Sequence, residues 1–134
     1  MRIDEVEGIG ATYAATLAEA GVATTDNLLE RGAKPSGRQA LADATGISGT
    51  LLLEWVNHVD LMRINGVGSE YSDLLEAAGV DSPAELAHRN ASNLAITFAE
   101  VVAARPGLVR RVPSEDEVAG WIDQSRNLPT LVEH

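Results

Sequence analysis

The chain has 134 residues, no cysteine and a formal net charge of −10, from 20 Asp and Glu against 10 Lys and Arg. With 45% apolar residues it can bury a core without disulfides, so overall disorder is excluded, as are a thiol nucleophile and a cysteine-ligated zinc site. Alanine and leucine are abundant and aromatic residues are only 4%, which favours helices and argues against an all-β fold.

The amino end carries no targeting signal. Residues Met1–Glu5 lack the basic and apolar regions of a signal peptide, and no stretch of about 18 apolar residues follows. We therefore expect a soluble, cytoplasmic protein that does not associate with a membrane.

The first predicted element is a tight turn, Gly8–Gly10, whose central Ile9 anchors it in the core. A helix follows, because Tyr13, Leu17 and Ala20 have the i, i+4, i+7 spacing of one buried face. Gly21 lies where a left-handed helix cap belongs.

Three further helices are predicted before residue 62. The second has Thr25 as its cap and ends at Gly32, and the third runs over 37–45 with Ser36 as its cap. The fourth begins after Ser48.

The pattern then returns at an offset of 58 residues. Gly8, Gly10, Tyr13, Leu17, Gly21 and Arg31 recur as Gly66, Gly68, Tyr71, Leu75, Gly79 and Arg89. We predict one domain, 1–134, built of two repeats over about 3–60 and 61–126, with an irregular tail over 127–134. The register later slips by eight residues, which indicates an insertion in the 105–113 loop of the second copy.

The second copy has clearer helix starts than the first. Ser82 with Glu85 and Ser114 with Glu117 have the spacing of capping boxes, and a helix is predicted over 94–104 between them.

Two aromatic pairs repeat between the copies. We predict that Trp55 and Trp121 lie in the core and that Tyr13 and Tyr71 pack the helix after the turn onto the fourth helix. The alternative is that the tyrosines flank the turns as ligand contacts.

Residues 6–20 and 64–78 resemble two helix-hairpin-helix motifs, in which a small residue stands four places after the second glycine, as Ala14 and Ser72 do here. The pairing of two copies resembles the tandem helix-hairpin-helix domain. Nearly the whole chain also resembles an uncharacterised bacterial family of unknown function in the same superfamily. The resemblance implies an all-α fold in which two pseudo-two-fold-related repeats pack face to face, with both hairpins on one surface.

Helix-hairpin-helix domains commonly bind the DNA backbone through hairpin amides, without reading sequence. The corresponding candidates for ligand contact here are Gly8, Ile9, Gly10, Gly66, Val67 and Gly68. Possible anion contacts are Arg63, Arg105, Arg110 and Arg111. The alternative for the loop arginines is pairing with the carboxylates of 115–117.

The charge around the hairpins disfavours nucleic acid. After the second glycine, where DNA-binding relatives often carry cations, stand Ala11 and Thr12 in one copy and Ser69 and Glu70 in the other. A carboxylate at a helix N-terminus takes the place of a phosphate. We therefore predict a non-catalytic module that binds a protein partner, with sequence-independent binding of the DNA or RNA backbone as the alternative.

No catalytic or cofactor site is predicted. Gly8-Ile9-Gly10 lacks the third glycine and the preceding strand of a dinucleotide fingerprint. His58 and Asp60 are two residues apart on a helix and so point in different directions, which makes a metal site improbable.

Overall fold

Helices account for nearly all regular structure in the computed structural model, which describes all 134 residues. A 3-10 turn, Ile3–Glu5, precedes eight α-helices. These are α1 (Ala11–Glu19), α2 (Thr25–Gly32), α3 (Pro35–Thr45), α4 (Gly49–Leu61), α5 (Ser69–Ala77), α6 (Pro83–Leu86), α7 (Ala91–Ala104) and α8 (Glu115–Ser125). The only β pairing is an isolated bridge between Arg2 and Thr24. The prediction of an all-α fold is confirmed.

The chain divides into two compact units. The first unit is Met1–Asp60 together with Leu131–His134, and the second unit is Leu61–Thr130. Each unit has its own hydrophobic cluster, with Leu17 and Trp55 in the first and Leu75 and Trp121 in the second. The packing of two helix-hairpin-helix repeats into one domain stays a prediction.

Positions 58 residues apart have the same local contacts. Gly21 and Gly79 both have left-handed φ angles, near +90°, after the first long helix of their unit. The next N–H closes each helix end by donating to the leucine carbonyl five residues back: Val22 to Leu17 at 2.9 Å, and Val80 to Leu75 at 2.8 Å.

Three helices begin earlier than predicted. Thr24, not Thr25, caps α2 by accepting from the N–H of Asn27, and α3 begins at Pro35 rather than after Ser36. The helix predicted over 94–104 begins at Ala91, since the side chain of Asn90 caps it. Each difference moves a helix start by one turn or less.

The predicted caps at the remaining starts are confirmed in part. The Ser48 hydroxyl accepts from the N–H of Leu51, and Ser114 with Glu117 forms a complete capping box. Ser82 caps α6, but the Glu85 carboxylate pairs with Arg89 instead of returning to the cap. That box is therefore half formed.

The last residues belong to the first unit. The segment after Leu128 has no regular secondary structure, yet the Val132 side chain is buried in the cluster of the first unit. The N–H of Glu133 donates to the Ala33 carbonyl at 2.7 Å, and the Arg38 guanidinium donates to the Glu133 carbonyl at the same distance. The tail is irregular, as predicted, and it is tied down.

Candidate functional site: two glycine hairpins

Each hairpin is a turn in which the first glycine supplies a conformation that other residues avoid. Gly8 has φ +88° and Gly66 has φ +96°, and the apolar residue that follows is buried in both. The N–H of Ile9 donates to Val6 and that of Val67 to Ile64, so the central amides are used within the turns. They are not available to a ligand.

The second glycine of each hairpin begins a helix without a side-chain cap. Gly10 precedes α1 and Gly68 precedes α5, and a glycine has no side-chain oxygen with which to cap the helix. In α1 the first amide with an intrahelical acceptor is that of Ala14, which leaves the N–H groups of Ala11 and Thr12 open. Of the predicted hairpin contacts, Gly8, Gly10, Gly66 and Gly68 are exposed.

A tryptophan side chain lies close to the first glycine of each hairpin. The indole Nε1 of Trp55 lies 3.7 Å from the position of a Cβ on Gly8, and that of Trp121 lies 3.0 Å from the position of a Cβ on Gly66. Both tryptophans are at least 97% buried, which confirms the prediction that they are core residues. Each turn therefore depends on a helix far along the chain.

The tyrosines pack as predicted, against the helix that carries the tryptophan. The ring centroids of Tyr13 and Trp55 are 5.0 Å apart and meet edge to face, and those of Tyr71 and Trp121 are 5.2 Å apart. Tyr13 nevertheless remains 41% exposed, so a role as a ligand contact is compatible with its packing.

An open cleft lies beside the first hairpin. It has a volume of about 380 Å³ and is lined by residues Asp4 to Gly10, which include the carboxylates of Asp4, Glu5 and Glu7. Arg2 pairs with Asp4 at 2.8 Å, and the N–H of Arg2 donates to Glu5. Three of the seven lining residues are acidic and none is basic, so the lining of the cleft is acidic.

The second hairpin is held by a side chain of α8. The amide side chain of Gln124 accepts from the N–H of Asn65 at 2.8 Å and donates to the Asn65 carbonyl at 3.1 Å. Because one side chain satisfies both backbone groups, the residue before Gly66 is fixed. Sequence reasoning missed Gln124, and its position three residues after Trp121, on α8, was the available signal.

The four candidate arginines do not form one anion site. Arg110 pairs with Glu70 and Arg111 with Glu117, while Arg63 donates to the Pro129 carbonyl at 3.0 Å. Arg105 is exposed. Arg111 thus pairs with a carboxylate of 115–117, as the alternative predicts for the loop arginines, whereas Arg110 pairs with Glu70 instead.

The two pairs lower the pKa values of their carboxyl groups. Hydrogen bonds from the Arg110 side chain, and then from its backbone N–H, hold the pKa of Glu70 below its ordinary value. Hydrogen bonds from the Arg111 side chain, and then from the Ser114 backbone, lower the pKa of Glu117 to about 2. Both carboxylates are therefore ionised and occupied at neutral pH.

Three buried polar residues of α4 were not predicted to be buried. Asn57, His58 and Asp60 are each at most 8% exposed. Every residue of α4 from Trp55 to Leu61 is buried, so this part of the helix has no solvent-exposed face. No helix of the protein combines the length and hydropathy that a membrane span needs.

Residues 7–128 match the family model described as a domain of unknown function, DUF4332. No curated protein and no solved structure gives a match.

Proposed function

The chain belongs to the DUF4332 family, and from its two hairpins we propose that it is a non-catalytic interaction module, built on a helix-hairpin-helix scaffold, that binds a protein partner. One observation carries the proposal. The exposed hairpin glycines lie beside carboxylates, at Asp4, Glu5 and Glu7 in the first unit and at Glu70 in the second.

The distribution of charge favours a protein over a nucleic acid as the partner. Affinity for a phosphate backbone comes largely from cations that neutralise phosphates, and here Arg110 and Arg111 are already neutralised by the chain's own carboxylates. The net charge of −10 adds a general repulsion. A partner that brings cations to the cleft of the first hairpin meets the complementary charge.

Backbone binding to DNA or RNA remains the second candidate, because the N–H groups of Ala11 and Thr12 are open at the start of α1. Such amides hold phosphates in many proteins. Measurement of the affinity for a 12-base-pair duplex at several salt concentrations separates the two. The proposal expects a Kd no tighter than about 10⁻⁴ M at physiological salt, the weak end of non-specific binding.

A matched pair of variants tests the hairpins themselves. Gly10 and Gly68 have negative φ angles and no atom within 4 Å of a Cβ position, so Gly10→Gln and Gly68→Gln leave the fold intact and place a side chain at the helix start. Loss of partner binding in either variant supports the proposal. Tight duplex binding that weakens steeply with salt, and that either variant abolishes, would replace it with the second candidate.

A further inference from the structure

The segment 131–134 is held in the first unit in the way that a protein holds a bound peptide. Val132 is buried in the hydrophobic cluster, whereas its neighbours on both sides are exposed. The N–H of Glu133 donates to the Ala33 carbonyl at 2.7 Å, and the Glu133 carbonyl accepts from Arg38 Nη2 at 2.7 Å. The segment is thus recognised by one apolar side chain and by both backbone groups of the next residue, as in strand addition.

Arg38 makes the site selective for a backbone carbonyl. Its side chain is buried, and its Nη1 also donates to the Gly32 carbonyl at 2.8 Å and to the Ala33 carbonyl at 3.2 Å. A buried charged donor that loses an acceptor destabilises the fold. The site is therefore most stable when a carbonyl occupies the position of the Glu133 carbonyl.

The site is formed by residues 32–38, at the end of α2 and the start of α3. A Cβ on Gly32 would lie 2.5 Å from Cγ2 of Val56, so a larger residue there would displace the α4 side chain. Glycine lets the two backbones approach and places its own carbonyl against Arg38. Within the first unit, only the bound segment comes from outside residues 1–60.

We propose that residues 32–38 form an exchangeable peptide site, and that a second copy of the chain fills it with its own Val132 and Glu133. Residues 129–134 have no regular secondary structure, so no helix unfolds when the segment leaves. A segment that fits its own copy fits a second copy equally well, and exchange of an identical element is a low-cost route to dimers. The core of each first unit is then completed by the other copy.

A peptide of residues 127–134, NLPTLVEH with an acetylated amino end, tests the site in the full chain carrying Val132→Asp. The substituted segment cannot bury its carboxylate, so the site is vacated. We expect NMR titration to shift the amides of 32–38. The Kd should lie below about 1 mM, because a segment that stays bound within its own chain must bind more tightly than its effective concentration there.

A matched peptide and a second readout complete this test. NLPTLDEH should bind more weakly by about tenfold or more, because the buried valine is lost. Where Val132→Asp unfolds the first unit, NLPTLVEH should restore the dispersed amide signals of Leu28 and Leu41, two core residues of that unit, and NLPTLDEH should not.

Light scattering of the full natural chain tests the exchange between copies. The chain is unfolded in urea and refolded at rising concentrations up to about 1 mM, where a second copy competes with the tethered segment. We expect a dimer whose share rises with the concentration during refolding. Val132→Asp should remain monomeric, whereas Leu131→Asp, at the exposed neighbouring position, should dimerise as the natural chain does.

Three results would overturn the inference. If NLPTLVEH neither binds nor refolds the Val132→Asp chain, residues 32–38 are not an exchangeable site. A natural chain that binds the peptide but stays monomeric at about 1 mM excludes the second copy as the occupant. A dimer that Val132→Asp forms equally well does not arise by exchange of this segment. The hairpins take no part in these tests, so the proposed function stands or falls separately.

Discussion

At the scale of single residues, the two glycines of each hairpin have different roles. Gly8 and Gly66 have positive φ angles and lie against tryptophans, so they form the turn. Gly10 and Gly68 have negative φ angles and open surroundings, so any small residue satisfies the backbone there. The repeated Gly-apolar-Gly pattern predicted a turn, but it gave no means to tell the two glycines apart.

This difference predicts the stability of four alanine variants. Gly8→Ala and Gly66→Ala should each lower the free energy of unfolding by about 1–2 kcal/mol, the cost of a left-handed conformation. Gly66→Ala should be the worse, because Trp121 Nε1 lies only 3.0 Å from the new Cβ. Gly10→Ala and Gly68→Ala should be neutral or stabilising by up to about 1 kcal/mol. Urea unfolding of the four variants checks the order, and equal losses at all four positions would contradict it.

Helix periodicity predicted the buried apolar faces but not the burial of polar groups. Pairing Tyr13 with Trp55 followed from repeated positions, whereas burial of His58 and Asp60 did not, because a stripe argument assumes that a helix keeps one solvent face. Arg38 was equally unpredictable. It is 6% exposed and donates to the carbonyls of Gly32, Ala33 and Glu133, with a partner 95 residues away in the chain.

At the scale of elements, helix starts were predicted to within one turn, and the errors have a simple cause. Thr24 and Thr25 are both good caps, so the sequence leaves their choice to the packing of α2. Residues 105–114 join α7 to α8, whereas only residues 46–48 join α3 to α4, and Arg111 of the longer connection pairs with Glu117 of α8. Arg110 instead pairs with Glu70, forty residues away, which no local pattern reveals.

The ion pair between Arg111 in the loop and Glu117 on α8 predicts that the stability of the protein depends on pH. Glu117 has its pKa lowered to about 2 from an ordinary value of 4.5, so the unfolded chain binds the proton more readily. The stability from this carboxylate is present above pH 4.5 and is lost as the pH falls toward 2. The stability difference between the natural chain and Glu117→Gln should therefore be constant above pH 5 and shrink below 4.5. Urea unfolding at each pH measures it, and a difference that grows in acid would contradict the assignment.

At the scale of the whole molecule, the first unit is made from two separate stretches of chain. Leu131–His134 belongs to it although 70 residues of the second unit lie between. Val132 is 3% exposed in the cluster of the first unit, and Arg38 uses one of its guanidinium nitrogens to hold Glu133. From the sequence we predicted only an irregular tail, because the four residues Leu131–His134 are too few to show the spacing of a buried helix or strand face.

Removal of residues 131–134 should therefore destabilise the first unit selectively. The loss of buried Val132 alone is worth about 2 kcal/mol, and the Arg38 donors lose an acceptor. Hydrogen exchange should show lower protection at Leu17 and Leu28, with little change at Leu74 and Phe98 in the other cluster. Leu131→Ala, at a 43% exposed position, is the control and should change neither set. Equal loss of protection in both clusters would contradict the division.

The contacts of Val132 and Glu133 with the first unit also affect the order in which the two units can fold during synthesis. The ribosome synthesises residues 1–60 well before residues 131–134, which complete the core of the first unit. The second unit, contiguous in sequence, is complete first, although it begins later. During translation the core of the first unit therefore stays incomplete until the whole of the second unit has been synthesised.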